Sequence, residues 1–77
     1  MSTYRYRLVI HQIGENPVVS GTLLKPSEIE GALDIEAAMH RSAGWTVTRY
    51  GALIRAAKGK VVRWIWVRRR TPQGDKL

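Results

Sequence analysis

Two tryptophans two positions apart, Trp64 and Trp66, stand among Arg63, Arg68, Arg69 and Arg70, and this stretch is the best equipped for molecular recognition. On a strand, residues two apart share a face, so the indoles would lie side by side with cations around them. Indoles stack unpaired bases at about 1–3 kcal/mol each, and guanidinium groups fork onto phosphate oxygens. The same pair would also serve as tryptophans buried by a second subunit, because exposed indoles on a monomer are uncommon. Glu36 and His40, four apart on an expected helix, have the spacing of a base or ligand pair. A local Glu–His pair at the edge of an apolar stripe accounts for that spacing better. His11, Ser20, Thr22 and Ser27 form no nucleophile–base pattern, and Gly14 and Gly21 make no phosphate loop.

The rest of the composition narrows the chemistry further. The 77 residues include no cysteine, which removes disulfides, thiolate metal sites and a Cys nucleophile. With two histidines only, a zinc site would need both plus carboxylates. We therefore expect a non-enzymatic protein with no catalytic residues, no metal and no cofactor. A 44% hydrophobic content argues for a folded domain. Apolar runs such as Leu8-Val9-Ile10 fall far short of the ~20 residues that span a bilayer, and Met1–Tyr4 opens no signal-peptide core. The expectation is a cytoplasmic protein with no membrane partner.

Charge is the strongest compositional signal. Thirteen Lys and Arg stand against six Asp and Glu, for a net +7, and nine of the thirteen are Arg. Arginine suits phosphate recognition, although GC-rich codon usage produces the same bias. The excess is localised. Ser27–Ala43 carries four carboxylates and one Arg, whereas Gly44–Gly74 carries eight basic residues and no acid. A chain this short rarely gains more than roughly 3–5 kcal/mol from its core, so oligomerisation or a ligand would help it.

These residues need elements to position them. Tyr4–Ile13 is rich in β-branched and aromatic residues and reads as a strand. Gly14–Pro17 is a turn cluster, after which Val18–Leu24 can pair back, weakened by Gly21. Pro26-Ser27 opens a helix with Ser27 as cap and Glu30 completing a Ser-x-x-Glu box; Gly44 ends it. Ile29, Ala32, Leu33, Ile35, Met39 and Ala43 project to one broad face that the fold should bury. Trp45–Ala57 and Lys60–Arg70 read as a hairpin around Lys58-Gly59. The expected fold is α+β: one domain over residues 1–70, an antiparallel sheet of three or four strands in the order strand, (strand), helix, strand, strand, and a flexible tail over 71–77.

With Lys58-Gly59 as the loop, Arg55 would lie opposite Val62, Leu53 opposite Trp64, Gly51 opposite Trp66 and Arg49 opposite Arg68. One sheet face would then meet the helix through small and aliphatic residues together with Tyr50 and Thr48. The other would carry both indoles beside Arg5, Arg7, Val9 and His11. A slip or a bulge at Gly51 would exchange these sets for part of a strand. We accordingly expect nucleic acid, or an acidic host protein, to bind a surface made of Arg5, Arg7, Arg49, Arg55, Lys60, Trp64, Trp66, Arg68, Arg69 and Arg70. We expect a homo-oligomer as well, and with the second partner the self-association runs through the tryptophan hairpin.

The stretch His40-Arg41-Ser42-Ala43-Gly44-Trp45-Thr46-Val47, a helix ending in Ala-Gly-Trp and leading into a basic hairpin, resembles short accessory proteins of phages and integrated elements of GC-rich bacteria. The resemblance covers residues 37–68. It implies binding to a host protein or to nucleic acid, and carries over no functional residues.

Overall fold

Gly51 and Gly59 decide how the C-terminal half folds. Both have positive φ, +63° and +60°, whereas the residue after each, Ala52 or Lys60, does not. Glycine at the first central position with an ordinary second residue is the type II′ hairpin turn, whose twist matches that of the flanking strands. The computed structural model, which describes residues 4–70, accordingly closes one hairpin at Tyr50↔Leu53 and the next at Lys58↔Val61. The expected Lys58-Gly59 loop would have forced Lys58 itself into positive φ. Moving the loop by one position shifts strand partners by two, so Arg55 lies opposite Trp64 instead of Val62. A shift of two leaves every side chain of this pair of strands on the face expected.

The Gly51 turn has the larger effect, because it splits the expected strand 45–57. The elements are β1 (Arg5–Gln12), β2 (Val18–Val19), α1 (Ile29–Ser42), β3 (Thr46–Tyr50), β4 (Leu53–Lys58) and β5 (Val61–Arg70). They form an α+β fold, a five-stranded antiparallel sheet in the order β2-β1-β5-β4-β3. That is one strand more than the largest expected count. Gly51 does not oppose Trp66 and Arg49 does not oppose Arg68; β3 folds back onto the outer side of β4, with Arg49 opposite Ile54. The long β5 pairs with β1 along its length, from Gln12↔Arg63 to Arg5↔Arg70.

The return of Val18–Leu24 along β1 is interrupted. Val18 and Val19 pair with Ile10 and Val9, Leu24 pairs with Tyr6, and the chain between bulges outward. Arg7 Nη1 donates to the carbonyls of Ser20 and Gly21 at 3.0 and 3.1 Å, bracing the bulge.

The helix begins differently from its sequence signature. A 3-10 turn, Pro26–Glu28, precedes α1, and the Lys25 amide donates to Glu28 Oε1 at 2.7 Å. Ser27 makes no cap and Glu30 closes no box, since the turn starts at Pro26 with Lys25 in the cap position, two residues before Ser27. The helix end is as expected: Gly44 has φ +90°, and the amides of Gly44 and Trp45 donate to the carbonyls of Arg41 and His40 at 3.0 and 2.9 Å. These are the two bonds of a Schellman cap, and the Trp45 ring meets the His40 ring edge-on at 5.4 Å to complete it. Lys58 Nζ donates to the Ala43 carbonyl at 2.8 Å, placing a cation at the negative end of the helix.

The core is small. Leu33 and Ala37 of α1 pack on Ile54 and Ile65, with Leu8, Ile10, Ile29 and Val47 around them. Leu33, Ile54 and Ile65 are the large side chains that become fully buried among the described residues. The helix backbone runs nearest β3 and β4, and its side chains reach β5 and β1 through Ile65, Leu8 and Ile10, which corrects the expected apolar face. At about 100° per residue, Leu33, Ala37 and His40 form the buried stripe, and Ile35 lies nearly opposite Leu33. Ile35 and Met39 stay 60% and 58% exposed, and Ala43 is exposed as well.

Candidate nucleic-acid interface

Strand alternation divides every side chain of the sheet between two faces. The face toward α1 receives Tyr6, Leu8, Ile10, Ile54, Ala56, Ile65 and Val67. The opposite face has no helix or strand over it among the described residues. It carries Arg5, Arg7, Val9 and His11 from β1, Leu53 and Arg55 from β4, and Val62, Trp64, Trp66, Arg68 and Arg70 from β5. Thr46, Thr48 and Tyr50 of β3 complete it.

Register sets out two aromatic rows. Trp64 lies between His11 and Arg55, with Thr48 next to Arg55. Trp66 lies beside Val9, and Val19 is the neighbour of Val9 on the other side. The His11 ring stands edge-on to Trp66 at 6.5 Å and 79°. Both indoles are half-buried, and Val9 is only 3% exposed on a face without a covering element, so its large neighbours close over it. Beyond these rows, Arg7↔Arg68 and Arg5↔Arg70 place four arginines on one end of the face. The five arginines share the surface with no acidic side chain among the described residues.

Seven of the ten expected binding residues are thus brought together: Arg5, Arg7, Arg55, Trp64, Trp66, Arg68 and Arg70. Three are not. Lys60 sits in the β4–β5 turn. Arg69 alternates to the helix side, where its guanidinium lies 4.4 Å from the Tyr4 ring centroid. Arg49 also faces α1, because the Gly51 turn exchanges the two faces of β3. It forks onto Asp34 Oδ1 at 2.7 Å and Glu30 Oε2 at 3.2 Å and donates to the Gly51 carbonyl at 3.1 Å. The hydrogen bond to Asp34, with Glu30 assisting, raises the Arg49 pKa above its ordinary value. The same exchange brings Tyr50 and Thr48 to the open face. The two-residue spacing from Gly51 to Leu53 was the signal that could have placed them there.

The remaining cation of the helix side belongs to a polar cluster. Arg63 lies 4.3 Å over the Trp45 ring, donates from Nε to Gln12 Oε1 at 2.9 Å, and contacts His40 Nε2 at 3.2 Å. Since a guanidinium can only donate, Nε2 is the acceptor and the His40 proton sits on Nδ1, 2.8 Å from the Glu36 carbonyl. The Glu36 carboxylate is 4.0 Å from Nδ1, so the pair makes no carboxylate–imidazole hydrogen bond. Among the described residues, no three His, Asp or Glu side chains cluster as a metal site, and no helix is long and apolar enough to cross a membrane. No protein-family model matches the chain, and neither curated proteins nor solved structures give a match.

Proposed function

We propose that the protein is a non-enzymatic nucleic-acid-binding module that uses the open sheet face. One observation carries the reading: five arginines and two indoles share one face of the sheet, while the other basic side chains serve the helix side. On the helix side, Arg49 is held by Asp34 and Glu30, Lys58 caps the helix and Arg63 stacks on Trp45. The arginines that flank the indoles face the surface where the described residues supply no carboxylate. Clustered cations attract phosphates by counterion release, and rings on the same surface stack bases that are not paired. A sheet face that carries both arginines and indoles suits a single strand, whose bases can turn toward Trp64 and Trp66, better than a duplex with its bases stacked inside.

The test is a titration of labelled single-stranded oligonucleotides, followed by anisotropy as salt is raised. Five phosphate contacts give a slope of about −3.5 in log K against log salt. Affinity that ignores salt, or no binding to any DNA or RNA, overturns the reading. Equal affinity for polyglutamate would assign the face to an acidic protein instead.

A further inference from the structure

Glu36 stands apart from the other acidic side chains of the described residues. Glu15, Glu28, Glu30 and Asp34 are exposed, whereas the Glu36 side chain is only 18% exposed. The other carboxylates of the helix region have donors: Glu30 and Asp34 hold Arg49, and Glu28 accepts the Lys25 amide. The partner nearest to the Glu36 carboxylate is His40 Nδ1 at 4.0 Å, too far for a hydrogen bond, and its proton goes to the Glu36 carbonyl at 2.8 Å. Arg63 is committed to Trp45, Gln12 and His40, and Lys58 to the Ala43 carbonyl. Among the described residues no donor completes this carboxylate, and burying a charge without one is costly.

Glu36 lines an open cleft of about 190 Å³. The bulge after β2 supplies Ser20 and Thr22 to its lining, the sheet edge supplies Leu8 and Leu24, and the helix adds Ala32 and Ile35. Arg7 on the Ser20 and Gly21 carbonyls holds the bulge in place, so the cleft is preformed. We propose that it binds a primary alkylammonium, with the head on the Glu36 carboxylate and the stem against the four apolar side chains. The acceptors match the head: the carboxylate and the two hydroxyl oxygens are three groups for the three N–H donors of an ammonium. Ser20 Oγ accepts the Thr22 amide at 3.1 Å and keeps a second lone pair. Size sets the stem, since a cavity of roughly 150 Å³ holds benzene and this cleft therefore takes a chain of about four to six carbons. The bond from ammonium to carboxylate is charge-assisted and supplies the donor that Glu36 lacks within the chain.

This inference is independent of the proposed nucleic-acid binding, because the cleft lies on the helix side of the sheet. Isotope-labelled full-length protein tests it, titrated with n-pentylamine and followed by amide chemical shifts. The expected result is saturable shifts at Ser20, Thr22, Ala32 and Glu36. The neutral n-pentanol, of equal length, binds about tenfold more weakly or worse, since it forms no charge-assisted bond. Glu36→Gln weakens n-pentylamine by about the same factor and leaves n-pentanol and oligonucleotide affinity unchanged. The comparison of amine with alcohol needs no variant, so it decides the matter should Glu36→Gln fail to fold. Nα-acetyl-lysine amide identifies the source: tighter binding than n-pentylamine assigns the cleft to a lysine side chain, weaker binding to a free amine. Shifts that do not saturate, equal affinity for n-pentanol, or unchanged n-pentylamine affinity in a folded Glu36→Gln overturns the inference.

Discussion

Arg49 and Arg55 offer the sharpest test of the site, since they are near in sequence, identical in type and separated by the sheet. Arg55 shares its face with Trp64, while Arg49 is held by Asp34 and Glu30 on the other side. If phosphate contacts drive binding, Arg55→Ala removes one of them. The salt slope then falls by about 0.7. Affinity falls about fivefold, the worth of roughly 1 kcal/mol for one charge pair near contact in water. Thermal stability should hardly move. Arg49→Ala should do the opposite. Its carboxylate partners are 75% and 69% exposed, so each ion pair is worth the 0.2–1 kcal/mol of a surface pair. A total near 1 kcal/mol lowers the melting temperature by about 4–8 °C in a domain of this size, and the loss shrinks as salt screens both pairs. Anisotropy titrations at four salt concentrations, with melting curves on the same samples, read both quantities. Equal losses of affinity and slope in the two variants would refute the division of the cations between faces.

Two further predictions use the same assays. Trp64→Ala should cost about 1–3 kcal/mol of oligonucleotide affinity through lost stacking while keeping the salt slope, because no cation is removed; a change in slope alone would deny the stacking role. Trp66→Ala should cost a similar amount of affinity and also destabilise the fold, because Trp66 is one of the side chains that close over Val9. Among the glycines, Gly51→Ala should destabilise by about 1–2 kcal/mol through backbone strain at φ +63°, since open space surrounds the added methyl. Gly31→Ala, inside α1 and equally unobstructed, should stabilise by up to about 1 kcal/mol. Chemical denaturation resolves both, and equal effects would show that local packing, not φ, governs these positions.

The class of fold and most of the open face could be read from residue patterns because alternation fixes faces locally. Tyr6, Leu8 and Ile10 point to the helix, while Arg5, Arg7 and His11 point away, as a simple count of positions along β1 requires. The Lys58-Gly59 error was harmless to the site because it displaced partners by two. Gly51 was different. It reads either as a weak point within a long strand or as the first residue of a turn, and only the second reading sends Arg49 to the helix and Tyr50 to the open face. What decides between them is nonlocal: β5 meets β4 only as far as Ile65, and Arg49 finds Asp34 and Glu30 when β3 folds back beneath the helix start. The helix stripe was misplaced for a related reason. Ile35 and Met39 are as apolar as Leu33, and the pattern cannot tell which flank of a broad stripe the sheet will cover until the helix is seen to run nearest β3 and β4.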